Sequence, residues 1–275
     1  MTHHVLSLGA GVNSTALLHL LIDKKMPLDE VIFADTGAEK PETYEYIRER
    51  ILPFLAQHGI AYAVVRAKET LIERCVRGHT VPDRRYRWST RDYKIRPIYK
   101  YLKPRAPVVC YLGIAADEPD RVKQEYRVDW VERKWPLVEY GITRDGCETI
   151  IREHGWPLPV KSGCFFCPFT RLNDWRTLWK QHPELYAQAI QLEQNGSKYP
   201  EFTLYGKPKG RRRARKNDPQ TYLSPLVPGP VGPAGLEKLA ERFAREELAA
   251  AKSTNEQSLL NPNPEQEECE GFCFT

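Results

Sequence analysis

Seven cysteines, an odd number, are spread over 275 residues, and two of them stand as Cys164-Phe165-Phe166-Cys167 just before Pro168. Two thiolates on one tight turn can hold a metal ion from two sides, as tetrahedral zinc or a [4Fe-4S] cluster requires, or can act as free or redox thiols. Cys147 is the candidate third ligand, because the connection Gly155-Trp156-Pro157-Leu158-Pro159 can fold its helix back against the turn. Cys75, Cys269 and Cys273 are candidates for the fourth, Cys269 first among them. An odd count speaks against a fully paired disulfide framework and for metal, cluster or redox roles in a reducing compartment.

The second chemical pattern is Ser7-Leu8-Gly9-Ala10-Gly11-Val12-Asn13-Ser14-Thr15, set between an apolar strand and an amphipathic helix. Small residues let backbone N–H groups approach a phosphate closely, and the helix N-terminus adds unpaired donors and positive dipole. Ser7, Gly9, Gly11, Asn13, Ser14 and Thr15 are therefore candidate nucleotide contacts, with Asn13 or Ser14 as the helix N-cap. Two further runs, Arg84-Arg85-Tyr86-Arg87-Trp88 and Arg91-Asp92-Tyr93-Lys94-Ile95-Arg96, interleave cations with aromatic rings. That mixture suits phosphate pairing and base stacking, and Lys94 and Arg96 are the preferred anion contacts. The segment 207–216, Lys-Pro-Lys-Gly-Arg-Arg-Arg-Ala-Arg-Lys, reads as a basic loop able to grip an RNA or DNA backbone by releasing counterions. The histidines form no metal-ligand pair at helical spacing, and no Ser/His/Asp triad can be read from chain order.

The elements that must position these residues follow from periodicity. Residues 4–8 form a strand and 16–22 continue as a helix, after which a buried strand opens at Glu30 and ends in the polar run Asp35-Thr36-Gly37-Ala38-Glu39. Pro41 begins a second helix with Tyr44, Ile47, Ile51 and Leu55 on its apolar face. Strands joined through a helix make a right-handed βαβ unit, whose ligands sit at the carboxyl ends of its strands, where Ser7 to Ser14 would meet Asp35 to Glu39, with Asp35, Thr36 and Gly37 as candidate nucleotide contacts. Strands at 61–66 and 108–114 complete a parallel sheet of four or more. Helices are expected at 143–154, after the cysteine turn, and at 234–251, with disorder from 252 to 268. The fold class is α/β, a parallel twisted sheet flanked by helices with a cysteine-rich helical C-terminal extension. Its expected divisions are a nucleotide-binding core at 1–140, a cysteine-containing helical region at 141–200, a basic loop and Pro/Gly linker at 201–233, and a helix with a cysteine-bearing tail at 234–275. The net charge of +5, from 41 Lys and Arg against 36 Asp and Glu, permits an anionic ligand without demanding nucleic acid. No apolar run is long enough for a membrane span, and the first strand starts too early for a signal peptide, so a cytoplasmic protein is expected.

Four segments, in order, resemble those of the PAPS reductase-like branch of the PP-loop ATP pyrophosphatases, an adenine nucleotide alpha hydrolase-like superfamily (PAPS is phosphoadenosine phosphosulfate). Gly11-Val12-Asn13-Ser14 is similar to the end of its SGGxDS loop, with Asn13 for the usual Asp. Asp35-Thr36-Gly37 with Pro41-Glu42-Thr43 is similar to its DTGxxxPET element, and Arg87 to Pro97 to its RWCxxxxKxxP segment, with Ser89 for Cys. Gly113 to Arg121 resembles a strand-end loop that lies over the nucleotide phosphates in relatives. The resemblance spans roughly residues 4–170. It implies ATP, or the sulfonucleotides PAPS or APS, on the loop, Asp35 to Gly37 beside the adenosine, and Lys94 and Arg121 neutralising charge during transfer. It favours an iron–sulfur cluster over zinc at Cys147, Cys164, Cys167 and a fourth cysteine. It also implies that Glu268-Cys269-Glu270-Gly271 approximates the reductases' C-terminal ECG motif, with Cys269 as attacking thiolate and Cys273 resolving the product.

These expectations divide into three functions. In the first, ATP is cleaved between its α- and β-phosphates with magnesium on the pyrophosphate, an acceptor such as tRNA or DNA is adenylated, and sulfur from an unidentified donor displaces AMP. In the second, a C-terminal thiolate reduces a sulfonucleotide. In the third, the fold binds nucleotide without chemistry, as Asn13 and Ser89 would allow.

Overall fold

A computed structural model describes residues 2–82, 87–122, 128–196 and 235–260, the side chains of 253–260 aside. The alternation read from sequence builds β1 (His3–Leu8), α1 (Val12–Asp23), β2 (Glu30–Ala34), α2 (Pro41–Tyr46), α3 (Leu52–Gln57) and β3 (Ala61–Val65). There follow α4 (Leu71–Gly78), α5 (Trp88–Thr90), α6 (Arg96–Leu102), β4 (Val108–Leu112), β5 (Val131–Lys134), α7 (Pro136–Glu139) and α8 (Arg144–Glu153). Beyond the cysteine turn come α9 (Leu172–Gln181), α10 (Pro183–Gly196) and α11 (Gly235–Leu260). All five strands are parallel, in the order β3-β2-β1-β4-β5. The order reverses beside β1, so the crevice between the ends of β1 and β4 is the natural ligand site of such a sheet.

Prolines set two local departures from α-helix. One π turn, Ile47–Ile51, joins α2 to α3 just before Pro53, and another, Arg91–Ile95, precedes Pro97 at the start of α6. Each proline lacks the N–H that an i−4 bond needs and crowds that carbonyl, and the wider turn relieves both. The second π turn carries Lys94.

On one face of the sheet α6 packs Ile98 and Leu102 against Val5, Ile32, Val65 and Val108; two further packing units hold the elements of the site. In the first, α1 is buried almost all round and α8 lies along it, so Leu17, Leu18, Leu21, Cys147 and Ile151 share one core with β1 and β4. In the second, α4, α9, α10 and α11 gather around Phe165, Phe166, Trp175, Tyr186, Leu236, Leu239 and Phe243. At the base of α11 the buried Glu193 of α10 accepts the Leu236 N–H at 2.8 Å, and Tyr186 Oη donates to Leu236 O at 2.7 Å. Ion pairs from Arg176 to Glu246 and Lys180 to Glu247 extend this seam. The helix continues to Leu260, past the limit expected from sequence, so disorder from 252 is corrected as far as that residue. No described helix is long and apolar enough to cross a membrane.

Candidate nucleotide and thiol site

The chain leaves β1 through Gly9-Ala10-Gly11 and enters α1 at Val12, so the N-cap is Gly11 and not Asn13 or Ser14. Ala10 adopts a left-handed conformation, φ 51°, which tightens the turn. Ser14 fails as a cap because it is the third helical residue and folds back: its Oγ accepts the N–H groups of Gly9 and Gly11 at 3.2 and 3.3 Å and donates to Gly11 O at 3.1 Å. Asn13 donates to Glu118 Oε2 at 3.0 Å and accepts from Arg144 Nη1 at 3.0 Å, while Arg121 Nη1 donates to the same Glu118 oxygen at 2.7 Å. Two guanidinium groups thus stand beside the loop. Arg121 was expected from sequence; Arg144 and Glu118 were not singled out, because only the fold brings their loops together. Thr15 is buried behind the turn, and Ser7 pairs in register with Ile32 and Leu112 at the sheet's carboxyl end.

At the end of β2, Asp35 is 5% exposed, and its carboxylate is fully engaged. Oδ1 accepts from Gly37 N–H and Tyr44 Oη at 2.8 Å each, and Oδ2 accepts from Arg66 Nε at 2.9 Å and Nη2 at 2.8 Å. Burial works to raise its pKa, but Gly37, Tyr44 and Arg66 outweigh it and hold the carboxyl below its ordinary value. Asp35 therefore braces the turn. Its replacement by alanine should cost about 2 kcal/mol in urea denaturation, since it leaves the Tyr44 hydroxyl and a buried N–H without an acceptor. A crevice of about 330 Å³ opens beside it, lined by Asp35, Thr36, Gly37, Arg66, Lys68 and Thr70 among others.

The cysteine turn docks on both of these loops. A β-carbon at Gly11 would collide with Ser162 Oγ, so the residue two before Cys164 lies directly against the candidate nucleotide loop. Gly163 N–H donates to Glu39 Oε2 at 3.0 Å, Phe165 N–H donates to Ala38 O at 2.9 Å, and Glu39 bridges Cys164 as an isolated antiparallel pair. Lys94 Nζ donates to Glu39 Oε1 at 3.3 Å, and Thr36 Oγ1 to the same oxygen at 3.2 Å. Burial works against the Lys94 charge, but Glu39 and the two cysteines hold its pKa above the usual lysine value. Cys164 keeps its proton, its pKa raised first by its hydrogen bond to Cys167 and then by burial; that same hydrogen bond lowers Cys167, with Lys161 and Lys94 contributing. Residues 150 positions apart in sequence thus form one site. Arg96 pairs with Asp92 at 2.8 Å and does not join Lys94.

Cys147 is not part of it. That residue is buried in the α1/α8 core, whereas Cys164 packs against the second unit, and burial pushes the Cys147 thiol up to about 12. The proline-containing connection folds α8 onto α1 and not onto the turn, which corrects the expected third ligand. Among the described residues no three His, Cys, Asp or Glu side chains are grouped to hold a metal ion. A [4Fe-4S] cluster or structural zinc needs more than the two thiols brought together here, so the described residues supply at most two of the ligands either group would take. Cys269, Cys273, the basic run 207–216 and the Pro/Gly linker 225–233 lie outside the described residues. Cys147→Ala should cost about 1 kcal/mol as a small core truncation and leave the alkylation rates of Cys164 and Cys167 unchanged, read by peptide mass spectrometry.

Residues 3–143 match the family model described as the phosphoadenosine phosphosulfate reductase domain. The chain belongs to that family. The nucleotide loop, Asp35, Glu39, Lys94 and Arg121 all lie inside the family domain, while Cys164 and Cys167 lie beyond its matched end. A curated relative is the uncharacterized protein MJ0973 of Methanocaldococcus jannaschii, 22% identical over 197 residues, or 66% of this chain. The chain spans 46% of that relative's length. Among solved structures, the phosphoadenylyl-sulfate (PAPS) reductase of Candida auris, a phosphate complex, is 15% identical with a TM-score of 0.44, covering 60% of this chain and 82% of its own. The U34-tRNA thiolase NcsA of Methanococcus maripaludis, solved with its [4Fe-4S] cluster, is 17% identical with a TM-score of 0.45, covering 72% of this chain and 73% of its own.

Proposed function

We propose that the protein is an ATP-dependent sulfur-transfer enzyme that adenylates an acceptor and thiolates it through Cys164 and Cys167. The observation that supports this most directly is the seating of Ser162 and Gly163 against Gly11 and Glu39, which sets a thiol pair beside a nucleotide loop. On the loop, α1's N-terminus and the Arg121 and Arg144 guanidinium groups would receive the triphosphate, with magnesium on its pyrophosphate. The acceptor oxygen attacks the α-phosphorus and pyrophosphate leaves. A persulfide on Cys167, loaded by a persulfide donor, then attacks the activated carbon, and AMP departs with the original oxygen. Cys164 attacks Cys167 Sγ in the resulting C–S–S link, which releases the thiolated acceptor and forms the Cys164–Cys167 disulfide. An external dithiol reduces it for the next cycle. Lys94, held by Glu39, would balance thiolate charge throughout.

Membership of the phosphoadenosine phosphosulfate reductase domain family favours a second reading. There, a thiolate attacks the sulfur of a sulfonucleotide, the nucleotide leaves, and the second thiol releases sulfite as the disulfide forms. One experiment separates the two: the purified chain is given ATP with a persulfide donor and nucleic-acid acceptors, or PAPS or APS with a dithiol. Pyrophosphate with thiolated product, lost in Cys167→Ser, supports sulfur transfer; sulfite supports reduction. Neither product, with nucleotide still bound, leaves nucleotide binding alone.

A further inference from the structure

One carboxylate oxygen stands at the mouth of the candidate nucleotide loop with two donors on it. Glu118 Oε2 accepts from the Asn13 amide Nδ2 at 3.0 Å and from Arg121 Nη1 at 2.7 Å. The other end of that amide fixes its orientation, because Arg144 Nη1 can only donate and lies 3.0 Å from Asn13 Oδ1. Glu118 and Arg121, three residues apart and half-buried, would alone be an ordinary surface ion pair of little worth. The third partner sets this pair apart: Asn13 is buried in the first turn of α1, 105 residues away in sequence. The second cation beside the loop is paired as well, Arg144 Nε lying 3.6 Å from Glu148.

The segment that carries Glu118 is held against α1 without help from that side chain. A β-carbon at Gly113 would lie 2.8 Å from Ser14 N, Ala116 N–H donates to Ile142 O at 2.8 Å, and Arg144 N–H donates to Asp117 Oδ1 at 3.0 Å. The Glu118 carboxylate can therefore leave its donors while the backbone stays in place. An amide N–H and a guanidinium converging on one anionic oxygen also make a phosphate-oxygen site. We propose that Glu118 is a specificity-determining residue that acts as an internal phosphate surrogate: its carboxylate holds the Asn13 and Arg121 donors in the empty site, and a nucleotide binds by displacing it. The displacement penalty is the same for every anion that needs those donors. It excludes a single sulfate or phosphate, whose other contacts are few, and is overcome by a triphosphate chain that also reaches the loop amides and Arg144. The proposal rests on the reading that the triphosphate of ATP lies on this loop, but it requires no turnover.

The test is isothermal titration calorimetry of the full chain with ATP and with inorganic tripolyphosphate, in EDTA at about 0.15 M salt, where charges farther apart than a Debye length are screened. Glu118→Gln keeps a neutral acceptor for Asn13 or Arg121 and should bind both ligands roughly tenfold more tightly, because the binding-competent state no longer has to be freed from a charged competitor. Asp120→Asn removes the same charge two residues on and should change affinity less than about twofold. Urea denaturation of both variants shows that they are folded. Equal gains from the two substitutions reduce the effect to long-range charge and overturn the surrogate. Unchanged or weaker binding in Glu118→Gln overturns it and leaves the loop as an ATP site, whereas no binding by the parent or by Glu118→Gln overturns both. Tighter binding in Glu118→Gln while ATP yields no pyrophosphate upholds the surrogate and overturns only the sulfur-transfer reaction.

Discussion

Gly113→Ala is expected to lower stability by about 3 kcal/mol and turnover by roughly 100-fold. Gly113 follows β4, and a β-carbon there would lie 2.8 Å from both the N and Cα of Ser14 and 3.0 Å from the carbonyl carbon of Asn13. Those are backbone atoms in the first turn of α1, and no side-chain rotation can move them aside. Relief requires β4 and the nucleotide loop to separate, although β4 is held between β1 and β5 and the loop is tied by Ser14. Gly59→Ala is the control: Gly59 has φ 66° but open space around it, so alanine there costs about 1 kcal/mol of backbone strain and leaves turnover unchanged. Urea denaturation and pyrophosphate release from ATP measure both. Equal effects of the two substitutions would show that the close approach at Gly113 is unimportant.

The second large effect concerns pH. Glu193 is 2% exposed, and burial pushes its pKa from 4.5 up to about 7 against the smaller opposing pull of the Leu236 N–H. A carboxyl whose folded pKa is raised binds its proton more tightly in the folded state. Its contribution is therefore complete below about pH 4.5 and is lost as pH rises through about 7. Wild-type stability should fall by about 3 kcal/mol from this group between pH 4.5 and 8.5. Glu193→Gln keeps the acceptor for Leu236 and removes the titration, so the variant gains that amount relative to wild type over the same window. The amide also places an N–H₂ near the position where Oε1 now lacks a partner, but that is a pH-independent offset. Denaturation curves of the two proteins that stay parallel from pH 4.5 to 8.5 would refute the assignment. Because Glu193 sits at the first turn of α11, the same titration should loosen that helix first, read by hydrogen exchange at Leu239 and Phe243.

How much of this was written in the sequence depends on distance along the chain. The βαβ unit, the nucleotide loop and the helix at 144–153 follow from local periodicity, because each buries a face whose residues are neighbours in sequence. Strand β5 was missed: Val131-Glu132-Arg133-Lys134 is short and charged, as an edge strand can be, and gives no alternating apolar signal. The misplaced N-cap has a local cause too, since Ser14 has the right chemistry to cap but spends its hydroxyl on two loop amides. Cys147 was misassigned for the opposite reason. Nothing near residue 147 says which helix α8 will cover, and the answer, α1, lies some 130 residues away. Glu39, Ser162 and Arg144 were likewise invisible as partners of the cysteine turn and the loop, because each acts through a non-local contact.

The Ser14 hydroxyl gives the nucleotide loop a thermodynamic character of its own. With Gly9 and Gly11 amides already bonded to Oγ, the loop has surrendered its conformational entropy before any ligand arrives. A phosphate entering it exchanges one oxygen acceptor for another instead of ordering a floppy segment, so association gives up little to immobilisation. The loop behaves as an anvil and not as a closing hand: the Gly9 and Gly11 amides should be protected from hydrogen exchange in the empty protein, and nucleotide should change that protection only slightly.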